Sequence, residues 1–123
     1  MAKKTNSPTS ATVAGARGQV TAGAAAVAVP ATPKMTEDQV EKAMSGRPDW
    51  VETGGAIQRT FQFKNFVDAM AFVNSVATAA ETVNHHPDIL VRYNKVTITL
   101  STHDAGGITA RDFDLAAKLD AMI

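Results

Sequence analysis

From residue 35 onward the apolar positions recur with two alternating periods, and the period changes wherever a turn signal intervenes. Thr36 and Gln39 make a capping box, with Met35 and Val40 placed as a hydrophobic staple, so a short helix is predicted to start there and run to about Ser45. Gly46 and Pro48 end it. Ile57, Arg59, Phe61 and Phe63 then alternate with Gln58, Thr60 and Gln62, which predicts strands over 50–52 and 57–63 joined through Gly54 and Gly55. The alternation is imperfect, because Arg59 stands on the apolar side.

A longer helical stretch follows, with Phe66, Met70, Val73, Ala77 and Ala80 spaced by three or four, Asn65 placed to cap it and its end near Thr82. In ILVRYNKVTITL the period returns to two. Ile89, Val91, Tyr93, Val96, Ile98 and Leu100 share one face and Leu90, Arg92, Thr97 and Thr99 the other, with Asn94 and Lys95 as the turn. A last helix opens at Thr109, where Ile108 and Phe113 form a staple and Asp112 lies in the favourable first turn, and it carries Leu115, Ala116 and Leu119. The order αββαββα, with hairpin-linked strands, predicts an α+β domain: a four-stranded antiparallel sheet with helices packed on one face.

Charge divides the chain. Through Lys34 there are four basic residues and no acid; beyond it eight basic residues face twelve acidic ones, and the two segments cancel to a net charge of zero. Residues 1–33 are rich in Ala, Thr, Gly, Ser and Pro, contain no aromatic residue and show no amphipathic period, so they read as a disordered tail ahead of a domain over 34–123. A signal peptide fits poorly, because Arg17, Gly18 and Gln19 interrupt its would-be apolar core. Four dispersed cations without interleaved aromatics make a poor nucleic-acid footprint. The chain has no cysteine, which removes disulfides, thiolate metal sites and cysteine nucleophiles and fits a reducing compartment. A cytoplasmic protein acting on neither membrane nor nucleic acid is the expectation.

All three histidines, His85, His86 and His103, fall between Glu81 and Asp112. With a two-residue turn at Asn94 and Lys95, Tyr93 pairs with Val96, Val91 with Ile98 and Ile89 with Leu100, and the same register sets His86 against His103. Pro87, lacking an amide donor, interrupts the ladder there. Several imidazoles near one another can donate and accept protons close to neutral pH without a metal or a covalent intermediate. Adjacent histidines at a helix end also serve as caps or surface residues, and three histidines can hold zinc. The third histidine favours a site over caps, and neighbouring histidines with no HExxH spacing rank zinc below proton transfer.

Glu81, His85, His86 and Pro87 stand as ExxxHHP; Tyr93 and Asn94 follow; then VTITLSTHDAGGITARD presents His103 and Asp112. This pattern resembles the pterin-4a-carbinolamine dehydratases, and the likeness extends more loosely from about Met35 to Ile123 through RPDW and FQFKNFVDAMAFV. It leaves the first 34 residues uncovered. The resemblance implies an α+β subunit that forms homodimers or homotetramers. The implied activity, needing no cofactor and no metal, is removal of water from a 4a-hydroxytetrahydropterin to give the quinonoid dihydropterin, in tetrahydrobiopterin recycling. His85 and His103 would exchange protons with the leaving hydroxyl and N5, and His86 would orient and polarise the pterin. Glu81 and Asp112 would orient histidines, and Ser101 and Thr102 would line the pocket through backbone groups. Ile89 departs from the aromatic residue that animal members often carry beside this motif, which removes stacking area from a pocket wall. A second class stays open, since relatives of this fold serve as non-catalytic dimerisation or assembly factors.

Overall fold

The structure is a computed structural model that describes residues 32–123. The tail expected to be disordered therefore lies, but for its last two residues, outside the described residues. Its elements run α1 (Glu37–Ser45), β1 (Val51–Thr53), β2 (Ala56–Gln62), α2 (Phe66–Val83), β3 (Asp88–Arg92), β4 (Lys95–Leu100), a 3₁₀ turn (His103–Ala105) and α3 (Ala110–Asp120). The strands form one antiparallel sheet in the order β1-β2-β4-β3. This is the αββαββα architecture that the periodicities predict.

Local chemistry starts each helix. The Thr36 hydroxyl accepts from the Gln39 amide while the Gln39 side chain accepts from the Thr36 amide, and the Asn65 side chain accepts from the Asp68 amide. Gly54 and Gly55, both with positive φ, make the two-residue β1–β2 turn, where most residues would be strained. The core lies between helices and sheet, with Ile57, Phe61, Val96, Ile98 and Leu100 from the strands meeting Phe72, Val76, Leu115 and Leu119 from α2 and α3. The opposite sheet face is polar along β2 and β4, with Gln58 bonded to Thr99 at 2.9 Å and Thr60 to Thr97 at 2.8 Å. None of the described helices is long and apolar enough to cross a membrane.

Arg59, the misfit in the strand pattern, has a partner that the local sequence hides. Its guanidinium meets Asp120 at 2.6 Å and lies 4.3 Å from the centre of the Phe61 ring. Asp120 also accepts from Arg47 at 3.0 Å and from the Trp50 indole at 2.9 Å. The RPDW segment is thereby tied to the end of α3, and a cation on the core-facing side of β2 is neutralised.

Two expectations are corrected. On α2 the buried face is Ala69, Phe72, Val76 and Ala80, whereas Phe66 and Ala77 are exposed. Alanine favours helix on either side, so the alanines left the stripe's rotation underdetermined. In the β3–β4 hairpin the turn is Tyr93–Asn94, and Val91 pairs with Val96, Ile89 with Ile98 and Asp88 with Thr99. Asn94 is held from outside the hairpin: its side-chain amide donates to the Phe63 carbonyl at 2.9 Å, and its own carbonyl accepts from the Phe63 amide at 2.8 Å. Tyr93 takes the positive φ, 53°, and Lys95 joins the ladder opposite Arg92. The register thus shifts by two, which keeps the paired residues on their predicted faces but changes their partners, and moves Tyr93 from the strand into the turn. Extended past Pro87, it sets His86 across from Ser101 instead of His103.

Candidate active site

The site is built where α2 stops. Asn84 adopts the left-handed conformation, φ 50°, and the amides of Asn84 and His85 both donate to the Ala80 carbonyl. Asparagine tolerates this cap better than most residues, and the reversal ends the helix. Arg111, in the first turn of α3, donates to the carbonyls of Val83 at 3.2 Å and Asn84 at 2.7 Å, placing a cation at the negative end of α2. Successive residues then diverge: His85 is buried and His86 is exposed.

His85 enters a buried polar network centred on Asp112. Its Nε2 lies 2.6 Å from Asp112 Oδ1, and Asp112 is fully buried. Asp112 Oδ2 accepts from the Thr109 amide at 2.9 Å and from the Thr102 hydroxyl at 2.9 Å. An ionised carboxylate only accepts, so Nε2 of His85 carries a proton, leaving Nδ1 as the atom free to gain or lose one. The same logic runs outward. With its proton committed to Asp112, the Thr102 hydroxyl accepts from the Thr109 hydroxyl at 2.6 Å, and Thr109 in turn accepts from the Arg111 amide at 3.2 Å. Every member is paired, as a buried polar network requires. Asp112 and Thr109 also form the capping box of α3, so one carboxylate starts a helix and fixes an imidazole.

His86 stands on the other side of the chain, its Nε2 2.5 Å from Glu81 Oε2 in an exposed pair. His103 opens the 3₁₀ turn, which Gly106 closes in the left-handed conformation, φ 74°. His86 and His103 line one cavity of about 160 Å³ with Asp88, Thr99 and Ser101. His85 instead lines a larger cavity of about 450 Å³ between the end of α2 and α3, with Val83, Arg111 and Leu115 among its walls. Thus the fold brings His86 and His103 together on one cavity and places His85 on another. No group of three or more metal-ligating side chains converges among the described residues.

Thr102 was expected to act through its backbone, but its side chain is what reaches Asp112, while the Ser101 hydroxyl donates to the Gly55 carbonyl at 3.0 Å. Thr109 and Arg111 were not anticipated as members of the site. The T-x-x-D spacing of Thr109 and Asp112 carries the signal for the first; the partners of Arg111 are backbone atoms 27 and 28 residues away, which leave no local trace.

The chain is similar to known proteins over this whole domain. The family described as Pterin 4 alpha carbinolamine dehydratase matches residues 33–122. A protein provisionally named a pterin-4-alpha-carbinolamine dehydratase in Picosynechococcus sp. is 47% identical over 89 residues, 72% of this chain and 97% of the relative. One of the same name in Acidobacterium capsulatum is 50% identical over 90 residues, 73% of this chain and 98% of the relative. Among solved structures, a transcriptional coactivator/pterin dehydratase from Brucella melitensis is 36% identical with a TM-score of 0.69, over 72% of this chain and 96% of that one. A pterin dehydratase-like protein described as a RuBisCO assembly factor in the alpha-carboxysome is 28% identical with a TM-score of 0.52, over 59% of this chain and 87% of that one. With nearly the full length of its relatives matched, and with the fold they share, this chain belongs to the pterin-4a-carbinolamine dehydratase family.

Proposed function

We propose that this protein removes water from 4a-hydroxytetrahydropterin to give the quinonoid dihydropterin, as in tetrahydrobiopterin recycling, by acid–base catalysis from its histidines. Support comes foremost from the cavity that His86 and His103 share, and beside it from the buried carboxylate that orients His85. The reaction asks for two proton transfers. One imidazolium protonates the C4a hydroxyl, the C4a–O bond breaks to release water, the N5 lone pair forms the C4a=N5 bond, and a neutral imidazole takes the N5 proton. Atoms and charges balance without a cofactor. Proton transfer by a positioned side chain contributes roughly 10²–10⁴-fold. We assign the two transfers to His85 and His103, and to His86, steadied by Glu81, the orientation of the pterin. At about 160 Å³ the His86–His103 cavity is smaller than the roughly 300–1,000 Å³ typical of small-molecule sites, so it would take the reacting edge of the ring system and leave the rest outside it.

A second reading, an assembly factor, is favoured by the likeness to the carboxysomal protein. One assay separates them: dehydration of chemically generated 4a-hydroxytetrahydropterin, with a chelator present, by the parent and by His85→Ala, His103→Ala and the double variant, each checked for fold by circular dichroism. Each single change is expected to lower turnover, and the double change to lower it by roughly 10²–10⁴-fold. His86→Ala chiefly raises KM. A double variant working at the parental rate refutes the catalytic assignment, and an inactive parent favours the assembly role.

A further inference from the structure

The loop bearing His103 is tied on two sides. Internally, the Thr102 amide donates to the Gly107 carbonyl at 2.8 Å and the Gly107 amide returns to the Thr102 carbonyl at 3.3 Å, closing a ring around the 3₁₀ turn. Externally, the Met35 amide donates to the Ile108 carbonyl at 2.8 Å. The Lys34 side chain lies directly over Gly107, where an added Cβ would come within 2.8 Å of Lys34 Cε and 3.3 Å of Cδ. Gly106 is a glycine for its dihedral, φ 74°, with open space around it; Gly107 has an ordinary φ, and a Cβ there would have to push aside the end of the Lys34 stem. The two adjacent glycines answer different demands.

We propose that Lys34 and Met35 are positioning residues: a strap, laid across Gly107 and Ile108, that holds the loop presenting His103 and the hydroxyls of Thr102 and Thr109. The strap is itself anchored, because Met35 packs against the core and Thr36 begins the capping box of α1. Loop placement matters on both sides of the site. His103 stands four residues before Gly107, and Thr102, its backbone partner, donates to the carboxylate that fixes His85. Among the described residues neither strap residue is hydrogen-bonded to a histidine, so its effect passes through the loop. The lysine acts by its methylene stem, which covers Gly107, and not by its charge.

The kinetic arm of the test rests on the dehydratase reading; the exchange arm does not. Lys34→Ala is expected to lower kcat by up to about tenfold with KM changed less, short of the roughly 10²-fold that a 1 Å misplacement costs. Lys34→Met, which keeps the stem, restores kcat. Gly107→Ala displaces the stem and reproduces the loss, and the Lys34→Ala/Gly107→Ala double variant is no worse than either single one, because both act on one contact. Deleting residues 1–33 leaves kcat at the parental value. Amide exchange at Met35 and Gly107 is expected to accelerate in Lys34→Ala and Gly107→Ala, with unchanged circular dichroism. Parental exchange in both variants overturns the strap whatever the kinetics, and faster exchange with parental kcat, or additive losses, overturns the positioning role. Should the parent fail to dehydrate the pterin, the dehydratase reading falls by itself and the exchange data still decide the strap.

Discussion

Two histidine–carboxylate pairs lie on either side of one peptide bond, and they differ in almost everything but chemistry. His85 with Asp112 and His86 with Glu81 have Nε2–oxygen distances of 2.6 and 2.5 Å, yet the side chains are 8% and 0% exposed in the first pair and 55% and 76% in the second. In the buried pair the carboxylate has two further donors and caps α3; in the exposed pair no other partner is present among the described residues. Solvent reaches both members of the second pair and only the edge of the His85 ring in the first. A buried pair fixes tautomer, ring orientation and local fold together, whereas an exposed pair biases an orientation at little cost.

The largest effect is therefore expected at Asp112. Asp112→Ala strands the Thr109 amide, the Thr102 hydroxyl and His85 Nε2 at once, at a fully buried position. Breaking a buried pair in this way costs about 3–5 kcal/mol. At roughly 4–8 °C per kcal/mol for a domain of this size, the thermal midpoint should fall by more than about 10 °C. Asp112→Asn should fall less, because its amide oxygen can still accept from the Thr109 amide. A midpoint for Asp112→Ala within a few degrees of the parent would erase the contrast between the two pairs.

Both carboxylates were legible as partners of histidines only through the family resemblance, which assigned neither to a particular ring. Glu81 meets His86 five residues on, past the left-handed Asn84 that ends α2. Asp112 meets His85 across 27 residues, and only its capping role was legible without the family resemblance. The hairpin shows the same limit. Alternation gave the faces of β3 and β4 correctly, since side-chain parity is local, but the register depended on Asn94 being clamped by Phe63, 31 residues away. The helices were legible because their caps are local; the rotation of α2 was not, because alanine carries little information about which side is covered. Arg59 looked like an error of pattern until the fold brought Asp120 to it.

A smaller effect is expected at the outer layer of the buried network. Thr102→Val keeps the shape of the side chain and removes one hydroxyl, so Asp112 loses one of its three donors and the Thr109 hydroxyl loses its acceptor. The unpaired group should cost about 1–3 kcal/mol, read in denaturant melts as a lower midpoint at unchanged slope. Because Asp112 keeps the Thr109 amide and His85, kcat should change less than in Asp112→Asn. An equal or larger loss of kcat in Thr102→Val would mean that the hydroxyl does more than support the carboxylate.

The smallest effect on stability, and the sharpest test of the contrast, belongs to Glu81. Glu81→Gln keeps length and shape while removing the charge, and exposed pairs contribute only about 0.2–1 kcal/mol, so unfolding should shift by less than about 1 kcal/mol. Its consequence should appear in binding. With His86 freed to turn, KM for the pterin is expected to rise a few-fold while kcat holds, the mark of lost ground-state positioning. Salt gives an independent handle, since raising ionic strength from about 0.1 to 1 M shortens the screening length from about 10 to 3 Å. The parent's KM should then move toward that of Glu81→Gln, whereas the His85–Asp112 pair, closed to ions, should leave kcat where it was. If salt or Glu81→Gln lowers kcat and leaves KM alone, the exposed pair belongs to the proton-transfer machinery, and the division of labour between the two histidines must be reversed.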